Sequence, residues 1–252
     1  MSSWVGQAIR RGRLTTRYPA EPATELELPM LARAPRPPAV VPDRLGAIAA
    51  CPVAALSAAG GSGIRADEGR CIRCARCAAH GFDFSGSAEC SRPDRAGLLV
   101  PPVPSGPGAR AVPLRQLGRS VHVFLVDAGS CNACNHEVLA LTNPYYDAQR
   151  LGIFFTNSPR HADVLLVVGV PTAEMTEPVR RAFEALPSPK AVVAVGVCPI
   201  GGGVFQSTPG LAGSLEELVP VDAFVPGCPP APVSVLDAIL GLLGRSRART
   251  EG

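Results

Sequence analysis

Lysine is almost missing from this chain: Lys190 stands alone among 24 basic residues, and the rest are arginines spread thinly along 252 positions. No polybasic run forms, and the formal charge of +3 is small, so the composition argues against a nucleic-acid partner. Long apolar runs are missing too. The longest stretch without charge, Ala191–Leu215, is interrupted by Cys198-Pro199-Ile200-Gly201-Gly202-Gly203 and by Pro209. Those are the marks of a buried strand and a glycine loop, not of a membrane-spanning helix. No apolar segment follows the basic residues Arg10, Arg11 and Arg13, as a secretory signal requires. The nine cysteines are therefore expected in a reducing cytoplasm and not as disulfides.

What is present is enough apolar residue, 46%, to build a core. The 26 glycines and 27 prolines gather between periodic segments, which predicts many loops. Residues 1–40 carry little pattern and end near Ala34-Pro35-Arg36-Pro37-Pro38, the composition of an extended arm packed on something larger. Residues 41–98 are dense in cysteine and short of apolar runs, as in a small domain that folds around a metal group as much as around a core. Residues 99–118, with Val100-Pro101-Pro102-Val103-Pro104-Ser105-Gly106-Pro107-Gly108, read as a linker.

Residues 119–252 form the larger unit. Four short apolar runs predict buried strands at Val121–Val126, Val164–Val168, Ala191–Val197 and Ala223–Val225. Between and after them, helical patterns occupy His136–Thr142, stopped by Asn143-Pro144, then Glu177–Leu186 with Pro178 early, and Val233–Leu243. Strands alternating with helices predict a flavodoxin-like parallel α/β sheet.

The cysteines sharpen this. In a bacterial ferredoxin each C-x2-C-x2-C-x3-C-P motif gives three ligands to one cluster and its last cysteine to the other. Cys71, Cys74 and Cys77 make the triplet, but Gly81 and Phe82 stand where Cys-Pro should follow. Upstream, Cys51-Pro52 is a Cys-Pro whose own triplet positions hold Val41, Arg44 and Ala47. The surviving residues are the four ligands of one and the same cluster, so residues 41–98 are expected to be a reduced ferredoxin-like α+β domain holding one [4Fe–4S] cluster. A zinc site is the alternative, since four thiolates also suit Zn²⁺ and His80 is close by in sequence.

In the larger unit Cys131, Cys134, Cys198 and Cys228 each follow a predicted strand. Ligands of an open α/β sheet collect at the carboxyl ends of its strands, so these four can converge there on a second cluster. The alternative is isolated buried thiols. Cys90 is left over, as an ordinary thiol or a substitute ligand.

At Cys131-Asn132-Ala133-Cys134-Asn135-His136-Glu137 the sequence resembles the small, cluster-bearing subunit of membrane-bound energy-converting [NiFe] hydrogenases of the formate hydrogenlyase type. The homologous complex I subunit carries adjacent first cysteines, and the spaced pair here favours the hydrogenase branch. The resemblance extends through 146–153, Ser158-Pro159-Arg160-His161-Ala162-Asp163, Gly196-Val197-Cys198 with Gly201–Phe205, and Pro226-Gly227-Cys228-Pro229-Pro230. The front part resembles the ferredoxin-like subunit of the same complexes, including the arm pattern Arg13-Leu14-Thr15-Thr16-Arg17-Tyr18-Pro19. The chain looks like a fusion of two neighbouring subunits in which the second has lost one of its clusters.

The resemblance implies two [4Fe–4S] clusters relaying electrons beside a large catalytic subunit and membrane subunits, with a ferredoxin-type donor as a further partner. It also implies a location on the inner face of the cell membrane through those partners, and oxidoreductase function only as part of the complex, since no complete active site lies in this chain. Glu137 is implied as a proton relay, against its reading as an acid in the first turn of a helix. The N–H groups of Gly201, Gly202 and Gly203 are candidates to bond cluster sulfur, against a turn that needs positive φ. Arg160-His161 resembles a motif near the large-subunit interface, against a solvated loop pair. Two other functions stand beside the hydrogenase-type relay: a complex I-like, quinone-linked relay, and an iron–sulfur or zinc protein that is structural or redox-sensing.

Overall fold

The computed structural model describes residues 6, 9–10, 12, 15–23, 33–60, 63–86, 89–103, 113–118 and 120–246. Arg13 and Leu14 of the arm pattern and residues 104–112 of the linker lie outside them.

The rear unit is built on five parallel strands: β6 (Val121–Asp127), β7 (Ile153–Phe155), β8 (Val164–Val168), β9 (Ala191–Val195) and β10 (Ala223–Val225). Their order across the sheet is β7-β6-β8-β9-β10, the flavodoxin-like order in which the second strand lies outside the first. Every residue of β8 and β9 is buried, as expected of β-branched runs covered on both faces. Alternation splits them cleanly: Val164, Leu166 and Val168 join one core, while Leu165 and Val167 join the other. The first core is closed by α2 (Ala133–Ala140) and α5 (Pro232–Leu242), the second by α3 (Ala173–Ala185), whose Val179 faces the sheet. Burying a side chain such as Leu166 contributes roughly 1.5–3 kcal/mol.

The predicted strand at Ala191–Val197 stops at Val195. Gly196, at φ +89°, turns the chain into a short helix, α4 (Val197–Gly201), so Cys198 lies in a helical turn. Helix α3 starts four residues before the expected Glu177, directly after Thr172, and therefore holds Pro178 inside it. Strand β7 is too short to show a pattern of its own; its position beside β6 supplies the pairing.

The front unit is α+β. Helix α1 (Arg44–Ala49) is capped by Asp43, whose carboxylate accepts from Gly46 N–H at 2.9 Å. Strands β2 (Leu56–Ala58), β3 (Ile64–Asp67) and β5 (Leu99–Val100) form an antiparallel sheet, and β1 (Arg33–Arg36) pairs with β4 (Asp83–Gly86). Its core is small: Val41, Ala47, Leu56, Ile64, Ala66 and Phe82. Among the described residues no helix is long and apolar enough to cross a membrane.

The two units and the arm meet at specific atoms. Arg92 and Phe224 exchange backbone hydrogen bonds of 2.9 and 2.8 Å, an antiparallel bridge along the edge of β10. Asp237, fully buried on α5, accepts from Tyr18 Oη at 2.9 Å and from Ser91 Oγ at 2.5 Å. Tyr18 is itself buried in the first core and Leu98 in the second.

Candidate metal centres

The rear cysteines stand at strand ends, as the sheet topology demands. The turn between β6 and α2 is organised by Asp127, whose carboxylate accepts from Gly129 N–H (2.9 Å), Ser130 N–H (2.8 Å), Ser130 Oγ (2.6 Å) and Asn135 Nδ2 (2.7 Å). Partial burial works against its ionisation, but these four bonds outweigh it and hold the carboxyl below its ordinary value. The loop so fixed carries Cys131 at the surface and brings Cys134, 8% exposed, inward on α2.

Cys134 meets the turn after β9. A Cβ placed on Gly196 would lie 2.6 Å from Cys134 Sγ, so only glycine leaves room for that sulfur. A Cβ on Gly203 would lie 3.4 Å from Cys198 Sγ, and Gly202, at φ +80°, gives its N–H to the Cys198 carbonyl at 3.0 Å. Burial pushes the Cys134 thiol up to about 12, with the charges of Cys198, Cys228, Cys131 and Glu137 adding to it. Cys198 is likewise pushed up to about 12 by burial, then by Cys228 and Cys131. Four thiols separated by up to about a hundred residues of sequence therefore lie within one another's electrostatic reach.

The front cysteines line one apolar pocket: Cys51, Cys71, Cys74 and Cys77, with Val53, Leu56 and Phe84 among its walls. The backbone is bent to suit them. Ala54, Arg73 and Ala75 all have positive φ, between 49° and 59°, without being glycine. Such positions cost about 1–3 kcal/mol each and persist where surrounding contacts over-determine them. Ala55 N–H donates to Cys51 Sγ at 3.2 Å and Arg73 N–H to Cys71 Sγ at 3.3 Å. Burial raises Cys71 to about 12 against the opposing Arg73, and raises Cys77 to about 11.

Among the described residues no three Cys, His, Asp or Glu side chains close on a point as one metal ion requires. A [4Fe–4S] cluster makes a different demand, because each of four thiolates binds its own iron at a separate corner. Each set supplies the four thiols that such a cluster needs, with Cys71 and Cys77 in the front set and Cys134 and Cys198 in the rear set drawn out of water.

Glu137 is half-buried on α2, one turn beyond Cys134; burial raises its carboxyl, with His136 opposing. Arg160 and His161 are exposed on a short 3₁₀ turn. Cys90 is buried with its Sγ 3.8 Å from the Pro226 carbonyl oxygen. Asp127 and Arg73 escaped the sequence reading, and Gly196 entered it only within the Gly196-Val197-Cys198 match, not as the gap that admits a sulfur. Asp127-Ala128-Gly129-Ser130 does carry a signal, an aspartate poised to accept from the backbone two and three residues on.

A parallel α/β domain with four thiols at its carboxyl edge defines a class of cluster-bearing redox subunit. Residues 131–242 match the family model described as NADH ubiquinone oxidoreductase, 20 Kd subunit, and the chain belongs to that family. It is 48% identical over 124 residues to the probable membrane-bound hydrogenase subunit mbhJ of Pyrococcus furiosus, covering 49% of this chain and 74% of that one. Formate hydrogenlyase subunit 7 of Escherichia coli is 41% identical over 131 residues, covering 52% of this chain and 51% of its own length. An NADH-quinone oxidoreductase subunit of Desulfovibrio desulfuricans is 39% identical over 141 residues, covering 54% of this chain and 76% of its own length.

Proposed function

We propose that this chain is the electron-relay subunit of a membrane-associated, hydrogenase-like oxidoreductase of the formate hydrogenlyase type. In this reading Cys131, Cys134, Cys198 and Cys228 hold one [4Fe–4S] cluster and Cys51, Cys71, Cys74 and Cys77 hold another. The observation that carries it is the convergence of two complete four-thiol sets in one chain, one at the carboxyl edge of the sheet and one in the front pocket. When bound, each cluster takes up and gives back one electron at a time.

The chain's own residues supply placement and tuning. Asp127 fixes the loop that presents Cys131 and Cys134, Gly196 leaves space for the Cys134 sulfur, and the Ala55 and Arg73 N–H groups donate to front-set sulfurs. Glu137, whose carboxyl burial holds above its ordinary value, is suited to take and release a proton beside the rear set. Leu139 on α2 and Val204 just after α4, each 56% exposed, are large apolar side chains open to a catalytic partner. Membrane association comes through partner subunits. A quinone-linked relay is the second reading, supported by the 39% identity to an NADH-quinone oxidoreductase subunit, and the large subunit that co-purifies separates the two.

The test is an anaerobic iron and acid-labile sulfide count with EPR of the dithionite-reduced protein, for wild type, Cys51→Ser and Cys228→Ser. About eight irons per chain, with each variant removing a different four-iron signal, is the expected result. Zinc, or about four irons in the wild type, sinks the two-cluster relay.

A further inference from the structure

Arg73 lies between Cys71 and Cys74 in sequence, yet its side chain leaves the front unit. Only 6% exposed, it reaches the rear unit and donates from its guanidinium to the Pro226 carbonyl oxygen at 3.1 Å, two residues before Cys228. Its backbone N–H, aimed by a φ of 57°, donates to Cys71 Sγ. One residue thus holds a sulfur of the front set with its main chain and the loop of the rear set with its side chain. A guanidinium keeps its charge at any pH a folded protein meets, and burying one is costly unless negative charge compensates it.

We propose that Arg73 is an electrostatic bridge between the two cysteine sets, a fixed positive charge that raises the reduction potential of both clusters and offsets the repulsion between an electron on one and an electron on the other. This rests on the two-cluster reading. Each transfer moves one electron from one cluster to the other; no bond to Arg73 forms or breaks and no proton moves. An added electron is added negative charge, and a cation held close by in a low-dielectric interface lowers the cost of that charge wherever it resides. Arg73 is in this sense a tuning residue that acts on both sets at once.

The experiment is an EPR-monitored redox titration of the full-length protein with dithionite, comparing wild type, Arg73→Gln and Arg73→Lys, with iron counted in each. The expected result is that Arg73→Gln keeps its iron and that the midpoints of both signals move to more negative potential, while Arg73→Lys, which keeps the charge, stays near wild type. A shift confined to one signal, or no shift with iron retained, overturns the bridge. Should Arg73→Gln lose iron, Arg73→Lys decides: unmoved midpoints support the charge, and a drop in either overturns it. Only about four irons in the wild type would remove the two-cluster reading itself, an outcome the iron count separates from the others.

Discussion

The rear thiols ride on the ends of a sheet whose strands β8 and β9 are buried on both faces, whereas the front thiols sit on loops and a short 3₁₀ turn around a core of Val41, Ala47, Leu56, Ile64, Ala66 and Phe82. The front unit also carries positive φ at Ala54, Arg73 and Ala75, all within four residues of a cysteine; in the rear unit positive φ falls on Asn132, beside Cys131, and on Asp147, both of types that tolerate it. A large core can hold four sulfurs in place before any metal arrives. On the two-cluster reading a small one depends on what the sulfurs bind, which is then what holds the strained loops in place.

Removing iron with a chelator under anaerobic conditions should break this comparison most visibly. The front unit is expected to lose hydrogen-exchange protection throughout 41–86 while β8 and β9 keep theirs; equal loss in both would mean that the rear core does not stand alone. Next in size is Asp237→Ala, which leaves the Tyr18 and Ser91 hydroxyls without their buried acceptor and is expected to cost about 3 kcal/mol by denaturant unfolding, with early release of residues 15–23.

Asp127→Asn acts on the rear set alone. Loss of the charged acceptor should speed iron release from that set by about tenfold, read by chelator kinetics, with the front set unaffected. Because the folded carboxyl is held below its ordinary value, its contribution is present above the unfolded pKa of about 3.9 and disappears as pH falls through the folded one. Both proteins shed the cluster in strong acid as its sulfide and thiolates take protons, so the gap between wild-type and variant release rates should close as pH falls through the folded carboxyl's value. The smallest effect belongs to Glu21→Ala. Its 2.7 Å pair with Arg17 is well exposed, so the change should cost less than about 0.5 kcal/mol and vanish in high salt.

Much of the rear unit was legible because its chemistry is local. Val164–Val168 and Ala223–Val225 are apolar runs whose length and flanking residues declare a buried strand, and both were located to the residue. The end of β9 was not, because Val197 continues the apolar run and only the backbone angle of Gly196 stops it. Cys134 and Cys228 could be assigned to one edge from topology, but the closeness of Gly196 to the Cys134 sulfur depends on two turns about sixty residues apart. Arg73 was hidden for the same reason: its acceptor, the Pro226 carbonyl, lies more than a hundred and fifty residues away and is backbone, which no side-chain pattern announces. Asp127 was overlooked although its turn is local.

The bridge between Arg92 and Phe224 carries a consequence for assembly. Because the front segment is continuous with the rear unit along one chain, its seat on the edge of β10 is filled at an effective concentration set by the tether, not by expression level. Dilution cannot part the two thiol sets, and a competing strand from another chain finds that edge already occupied. The stoichiometry of front set to rear set is thereby written into the covalent chain, one to one in every molecule made.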